Sequence, residues 1–215
     1  MRLKFFLIFS ALVFSFSILF ISILRSASVR YSFSEVYANY TDELLREEIE
    51  KLDNIEMDYY LAYPGRVTPG HPLWFVKATR DRLWILITPD KIKRSDLYLL
   101  FADKRLVMSV ELFEKGEAEL GMTTLSKAEK YLEKACSLET EIRREGIDTL
   151  DLTRRLMKAS IVHSLAIRKI KMMAPEDAIP QITIVENYPR GVYGRKVGVF
   201  ESREAPPPEN PLYEM

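Results

Sequence analysis

Pro64-Gly65-Arg66-Val67-Thr68-Pro69-Gly70-His71-Pro72-Leu73-Trp74-Phe75 is the stretch from which the rest of the chain is read. Proline lacks an amide hydrogen and clashes with the preceding turn, so this spacing of prolines and glycines forbids a continuous helix. Pro72 suits the first position of a new helix, where its missing donor would be unpaired in any case. His71 then falls at the cap, and a turn or capping role is expected for it. The helix opened by Pro72 should run to about Ile87. It is apolar at both ends (Leu73 to Val76, Leu83 to Leu86) and charged at its waist through Lys77, Arg80, Asp81 and Arg82. Trp74 and Trp84 lie about 80° apart around such a helix. Both are expected to pack against the following helices, with the waist in solvent. They are also the candidate interaction residues of this helix if they stay exposed.

Downstream, Thr88-Pro89-Asp90 reads as a second helix start, with the Thr88 hydroxyl as the cap and Pro89 at the first position. Leu99, Ala102, Leu106, Ser109 or Val110, and Phe113 follow at three- and four-residue steps and share one stripe. Gly116 supplies a stop. A third helix places Leu125, Ala128, Leu132, Ala135 and Ile142 on its stripe, with the charge runs Lys127–Lys134 and Glu139–Glu145 read as solvated faces. After Gly146, a fourth helix from about Asp148 aligns Leu152, Leu156, Ala159, His163, Ala166, Ile170 and Met173. Short links force antiparallel neighbours. His163 is expected as a hydrogen-bonded core histidine and Cys136 as a small buried apolar residue.

Upstream, Phe5 to Leu24 is interrupted only by serines, and twenty helical residues span about 30 Å, the thickness of a bilayer core. An uncleaved anchor is preferred to a cleaved signal peptide, whose apolar core is typically about 7–15 residues. Arg2 and Lys4 favour a cytoplasmic N-terminus, placing the bulk of the chain outside the cytoplasm in a single-pass arrangement at the cell membrane. Residues 31–63 read as a juxtamembrane stalk with a short helix from Thr41 or Asp42 to about Asn54.

Residues 175–215 lose the helical period. Ile179 to Val185 alternates like an edge strand, Arg190, Tyr193, Arg195 and Lys196 form a small basic and aromatic patch, and the remainder reads as irregular and partly disordered. The expected organisation is therefore an anchor over 1–30, a stalk over 31–63, a bundle over 64–174 and a tail over 175–215. The fold class is all-α: an antiparallel bundle of three long helices plus one short aromatic helix, behind a single N-terminal transmembrane helix.

Pro69-Gly70-His71-Pro72-Leu73-Trp74, with Lys77, Asp81-Arg82-Leu83, Leu97-Tyr98-Leu99, Ala102-Asp103-Lys104-Arg105-Leu106 and Leu125 to Leu132, resembles a bacterial family of membrane-anchored helical domains of unknown function. The resemblance covers Tyr63 to about Ala135, with Trp74 standing where Tyr or a similar aromatic is common. It implies location and fold, and no activity.

Composition narrows the function. The 31 basic and 31 acidic residues balance overall, but residues 1–34 hold four basic residues and no acid, leaving the rest at a net −4. That argues against nucleic acid as a partner, which would call for a basic excess. No nucleophile elbow, phosphate-cradling glycine loop or zinc spacing is present, so no catalytic, cofactor or metal residues are assigned and the chain is read as a non-enzyme. The expected role is a membrane-anchored extracytoplasmic interaction or scaffold module, using Trp74, Trp84, Arg190, Tyr193, Arg195 and Lys196 toward a protein or an envelope polymer. The alternative is an envelope sensor or chaperone-like adaptor whose bundle opens on a ligand near His163 or Met172.

Overall fold

The computed structural model of the chain describes residues 6, 8–15, 17, 31–34 and 43–213, and the chain divides into two units, Met1–Arg30 and Tyr31–Met215. In the first unit the described residues are helical, and Ser17 Oγ donates back to the Val13 carbonyl at 2.8 Å. Half of the expected span Phe5–Leu24 lies outside the described residues. Among the described residues no helix is long and apolar enough to cross a membrane.

The second unit is helical throughout its regular structure: α1 (Glu43–Asp53), α2 (Trp74–Ile87), α3 (Lys91–Glu114), α4 (Ala118–Arg144), α5 (Leu150–Met173) and α6 (Ile179–Glu201). Its centre is the α3–α4 hairpin, whose stripes close as the spacing predicts. Leu99, Ala102, Leu106 and Phe113 are buried against Leu125, Ala128, Leu132 and Ala135. The Ser95 and Ser109 hydroxyls stitch the pair, donating to the carbonyls of Ala135 (3.0 Å) and Gly121 (2.9 Å). At Gly121 the two backbones approach so closely that a Cβ would stand 2.8 Å from the Phe113 ring. Gly116 and Gly146 end α3 and α4 with φ of 78° and 84°, a left-handed turn that costs glycine least.

Helix starts differ from expectation in detail. The first aromatic helix begins at Trp74, two residues after Pro72, and His71 Nδ1 accepts from the Leu73 amide at 3.1 Å. Asp90, not Thr88, caps α3 by accepting from the Lys93 amide, while the Thr88 hydroxyl turns back to the Trp84 carbonyl. Asp90 directly precedes the first helical residue and so reaches the Lys93 amide, while Pro89 holds Thr88 extended and outside the helix.

Two boundaries move. Residues 43–63 do not form a free stalk: Leu52 of α1 is buried with Met157, Ile161, Leu165 and Phe200, and Tyr59 donates to Asp103. The capping candidates Thr41 and Asp42 lie outside the described residues. The segment expected as strand and disordered tail is instead α6, a fourth long helix that packs on α5 and α4. Ile182, Val185, Pro189, Val192, Lys196 and Val199 are buried at steps of three and four. Pro180 stands in the first turn, where it costs no hydrogen bond, and Pro189 removes one from the interior. Burial of this stripe outweighs that loss and the low propensity of Gly191, Gly194 and Gly198.

Leu106, with no exposed surface at the hairpin centre, gives the simplest test of this core. Leu106→Asp should destabilise the domain by more than about 4 kcal/mol, whereas Lys104→Ala should cost under about 1 kcal/mol. Equal urea midpoints for the two variants would contradict the packing.

Candidate functional site

The most unusual element is α2, because it faces the wrong way. With a turn of about 100° per residue, Phe75, Leu86, Leu83, Val76 and Ile87 fan over a stripe roughly 120° wide, and each is more than half exposed. Arg82 and Arg80 border the stripe on either side. The inward face holds Asp81 and Ile85. Asp81 is drawn in by cations: its carboxylate takes Arg80 at 2.7 Å and lies 4.0 Å from the buried Arg105 guanidinium. Lys77 faces inward as well, donating to the carbonyls of Pro64 (2.6 Å) and Val67 (2.8 Å), so the Pro-Gly turn is tied down by the helix that follows it.

The expectation that both tryptophans are mostly buried is thus corrected, and the charged waist divides: Arg80 and Arg82 reach solvent as expected, while Asp81 and Lys77 turn inward. Trp84 is 47% exposed, resting one edge on Phe101 at a ring distance of 6.3 Å. Trp74 is half-buried beneath the Lys77 ammonium, 5.4 Å from the ring centroid. The reason is electrostatic. A helix whose waist carries Asp81 opposite Arg105 settles with that pair inside, and its apolar ends are left facing out.

Within the bundle lies a layer of charge that the stripes did not foretell. Asp103 on α3, Glu129 on α4 and His163 on α5 meet at the seam between two hydrophobic clusters. His163 has no exposed surface; its Nδ1 lies 2.7 Å from Glu129 Oε1 and its Nε2 3.1 Å from Asp103 Oδ1. Burial opposes the imidazolium, but Glu129 and Asp103 outweigh it and raise the His163 pKa to about 10. Tyr59 closes the chain, its hydroxyl donating to Asp103 Oδ2 at 2.7 Å, and burial together with Asp103 pushes its pKa up. As an imidazolium, His163 donates through both nitrogens, so it has no lone pair left to abstract a proton or hold a metal. Its chemistry here is that of a fixed cation. Glu129 is therefore not part of a solvated face as the charge run suggested.

Glu139 departs from expectation in the same way. It is fully buried, taking the Lys196 ammonium and the hydroxyls of Thr149 (2.5 Å) and Thr153 (3.0 Å). Burial works against its charge, yet Lys196 and these hydroxyls hold its pKa below the ordinary carboxylate value.

This second network disperses the expected basic and aromatic tail patch. Lys196 is in the core, also donating to the Cys136 carbonyl at 3.2 Å and Thr140 Oγ1 at 2.7 Å. Tyr193 is buried, its hydroxyl donating to the Pro208 carbonyl at 3.1 Å. Arg190 pairs with Glu186 and Arg195 with Glu133, each at 2.5 Å. Of the six residues singled out in the sequence, only Trp74 and Trp84 share an exposed helix. The residues that reasoning missed are Leu83, Leu86 and Ile87 as a surface, and Asp103 and Glu129 as partners of His163. A histidine on an apolar stripe with acids at matching depth on two other helices was the available signal.

A groove of about 560 Å³ runs between residues 52–61 and the outer sides of α3 and α5, walled by Leu52, Met57, Tyr59, Leu106 and Leu165. Tyr59 thus joins the groove to the buried charge layer.

These features define a class: an all-helical bundle domain with ionic layers in its core and an apolar helix turned outward. The chain belongs to the family described as "Domain of unknown function (DUF5667)", whose model matches residues 66–176, just over half of the chain. The match begins inside the Pro-Gly turn and stops before α6. No curated protein and no solved structure matches the chain at a significant level.

Proposed function

We propose that the chain is a membrane-tethered helical interaction module, with its bulk outside the cytoplasm, and that α2 is the element by which the domain rests on an anionic bilayer surface. The observation that carries this reading is the outward stripe of Phe75, Val76, Leu83, Leu86 and Ile87 bordered by Arg80 and Arg82. Apolar side chains flanked by basic ones are what an interfacial helix needs. The stripe enters the acyl boundary and the arginines stay at the level of lipid phosphates. A contiguous apolar surface of this kind is costly to leave in water. The apolar run Phe5–Leu24 supplies the tether, keeping the domain at a high local concentration over the same membrane. With α2 on the lipid, the opposite side of the bundle is free to meet a protein or an envelope polymer. The reading is non-enzymatic.

The test uses the two native tryptophans, since no other residue of the chain carries an indole. Full-length protein with Trp74→Phe would be reconstituted in vesicles containing anionic lipids brominated on their acyl chains. Trp84 emission should be blue-shifted and quenched by bromine, and Leu83→Glu with Ile87→Glu should abolish both effects without loss of helicity. Water-like, unquenched Trp84 emission in those vesicles would refute docking by α2.

A further inference from the structure

Where α2, α3 and α4 meet, a pocket of about 230 Å³ opens beside Trp74 and Tyr131. Five cationic side chains line it (Arg82, Arg105, Lys127, Lys130 and Lys134), and no carboxylate does. Several cations elsewhere on this unit have acidic partners: Lys91 bridges to Glu141 and Glu145, Arg155 to Asp96, Arg195 to Glu133 and Arg203 to Asp148. Around the pocket the compensation is thin. Lys134 stands over the rings of Tyr98 and Tyr131, and Arg105 stacks 4.4 Å above Tyr131. Asp81 lies 4.0 Å from Arg105 and is already held by Arg80.

Arg105 is the telling residue. Its side chain is 5% exposed, and although Nη1 donates to the Phe101 carbonyl at 3.1 Å, the buried Nε has no hydrogen-bond partner. A buried guanidinium N–H without an acceptor is costly and rare in a folded protein. Lys127, exposed at the rim, is set against the other cations. Desolvation first, and then Arg105, Arg82 and Lys130, hold its ammonium below the usual lysine pKa. Like charges gathered round a cavity with a buried, unsatisfied donor are stabilised by an anion that accepts several hydrogen bonds at once.

We propose that this pocket binds a phosphate dianion, with Arg105 as the buried anchor and Arg82, Lys127 and Lys130 closing over the remaining oxygens. The volume suits a phosphate-sized group and falls short of the roughly 300–1,000 Å³ of a drug-sized ligand site. The dianion's source is either free inorganic phosphate or a monoester headgroup such as that of phosphatidic acid. The site stands independently of whether α2 rests on lipid, because free phosphate fills it without a bilayer.

The experiment takes the full-length Trp84→Phe protein in maltoside micelles, so that Trp74 at the pocket mouth reports. It is paired with observation of the Arg105 Nε–H resonance in isotope-labelled protein. Inorganic phosphate is titrated in the first arm. In the second, the same protein sits in phosphatidylcholine vesicles containing either phosphatidic acid or phosphatidylglycerol. A saturable change of both signals with inorganic phosphate supports the site and assigns free phosphate. A change with phosphatidic acid alone supports the site and assigns the headgroup. In either case the exposed-site variant Lys127→Met/Lys130→Met, which leaves Arg105 and the fold in place, should bind at least about tenfold more weakly. No response in either arm, an equal response to the two anionic lipids without one to phosphate, or an unchanged affinity in the double variant would overturn the proposal. Bromine quenching of Trp84 reads α2 docking separately, so the two ideas fail by different measurements.

Discussion

Replacing His163 by leucine is expected to lower folding stability by about 3–5 kcal/mol, the range for removing one partner of a buried charge cluster. The side-chain volume is nearly kept, so the loss is electrostatic: Glu129 and Asp103 would remain buried without the cation that lies 2.7 and 3.1 Å from them. The pH dependence separates this cause from simple packing. A histidine whose pKa is raised from 6.5 to about 10 contributes stability that is fully present below pH 6.5 and is lost as pH rises through 10. The wild-type protein should therefore weaken steadily between those limits in urea unfolding, and His163→Leu should lack that slope. Tyr59, with its pKa also raised, adds its own loss only above about pH 10, the ordinary tyrosine value, and a Tyr59→Phe background removes it. A flat wild-type profile from pH 6.5 to 10 would mean that His163 is neutral in the folded state.

The second large effect concerns α6. A chain ending at Ala178 should fail to give a cooperatively folded domain, although it retains all of the family-matched residues 66–176. Truncation removes Lys196 from the fully buried Glu139 and uncovers the apolar surface that Ile182, Val192 and Phe200 bury. The point variant Lys196→Met isolates the charge. It should cost about 3–5 kcal/mol, because the buried Glu139 would keep only the partly exposed Arg143, 3.3 Å away, as a cation, while the helix stays in place. A truncated chain with a sharp thermal transition near that of the full protein would show that α6 is an accessory.

The stripes of α3, α4 and α5 were legible because each is a long three-four pattern of apolar residues, closed by glycine in α3 and α4 and by Ala174-Pro175 in α5, and every stripe residue from Leu125 to Ile142 is buried. The same pattern misled where charge replaced carbon. Glu129 and Glu139 stand in runs of lysines and glutamates that look solvated. Their buried partners on other helices, His163 and Lys196, sustain that burial, and such pairings are not visible along one helix, unlike the Arg143–Glu139 pair on α4 itself. In α6 the period was present, from Ile182 through Val185, Pro189, Val192 and Lys196 to Val199, but it was hidden by a proline and a lysine at inward positions and by glycines between them. For α2 the error had the opposite sign. Counting hydrophobic residues gave a buried helix, whereas Asp81 and Lys77, held by Arg80, Arg105 and the backbone of Pro64 and Val67, decide which side turns in.

The ionic layer has one more effect, on axial position. Stripes of leucine and alanine are nearly self-similar when one helix slides along another by a turn, about 5.4 Å, so hydrophobic contact alone sets the vertical offset of α5 only loosely. The imidazole of His163 meets two carboxylates on two different helices, and a slide of that size would part it from both at once. The triad thus acts as a pin through three rods, making a shifted bundle a state with three stranded charges. A variant with leucine at 103, 129 and 163 would keep its compactness and lose the pin, and its helices would be free to settle at more than one offset.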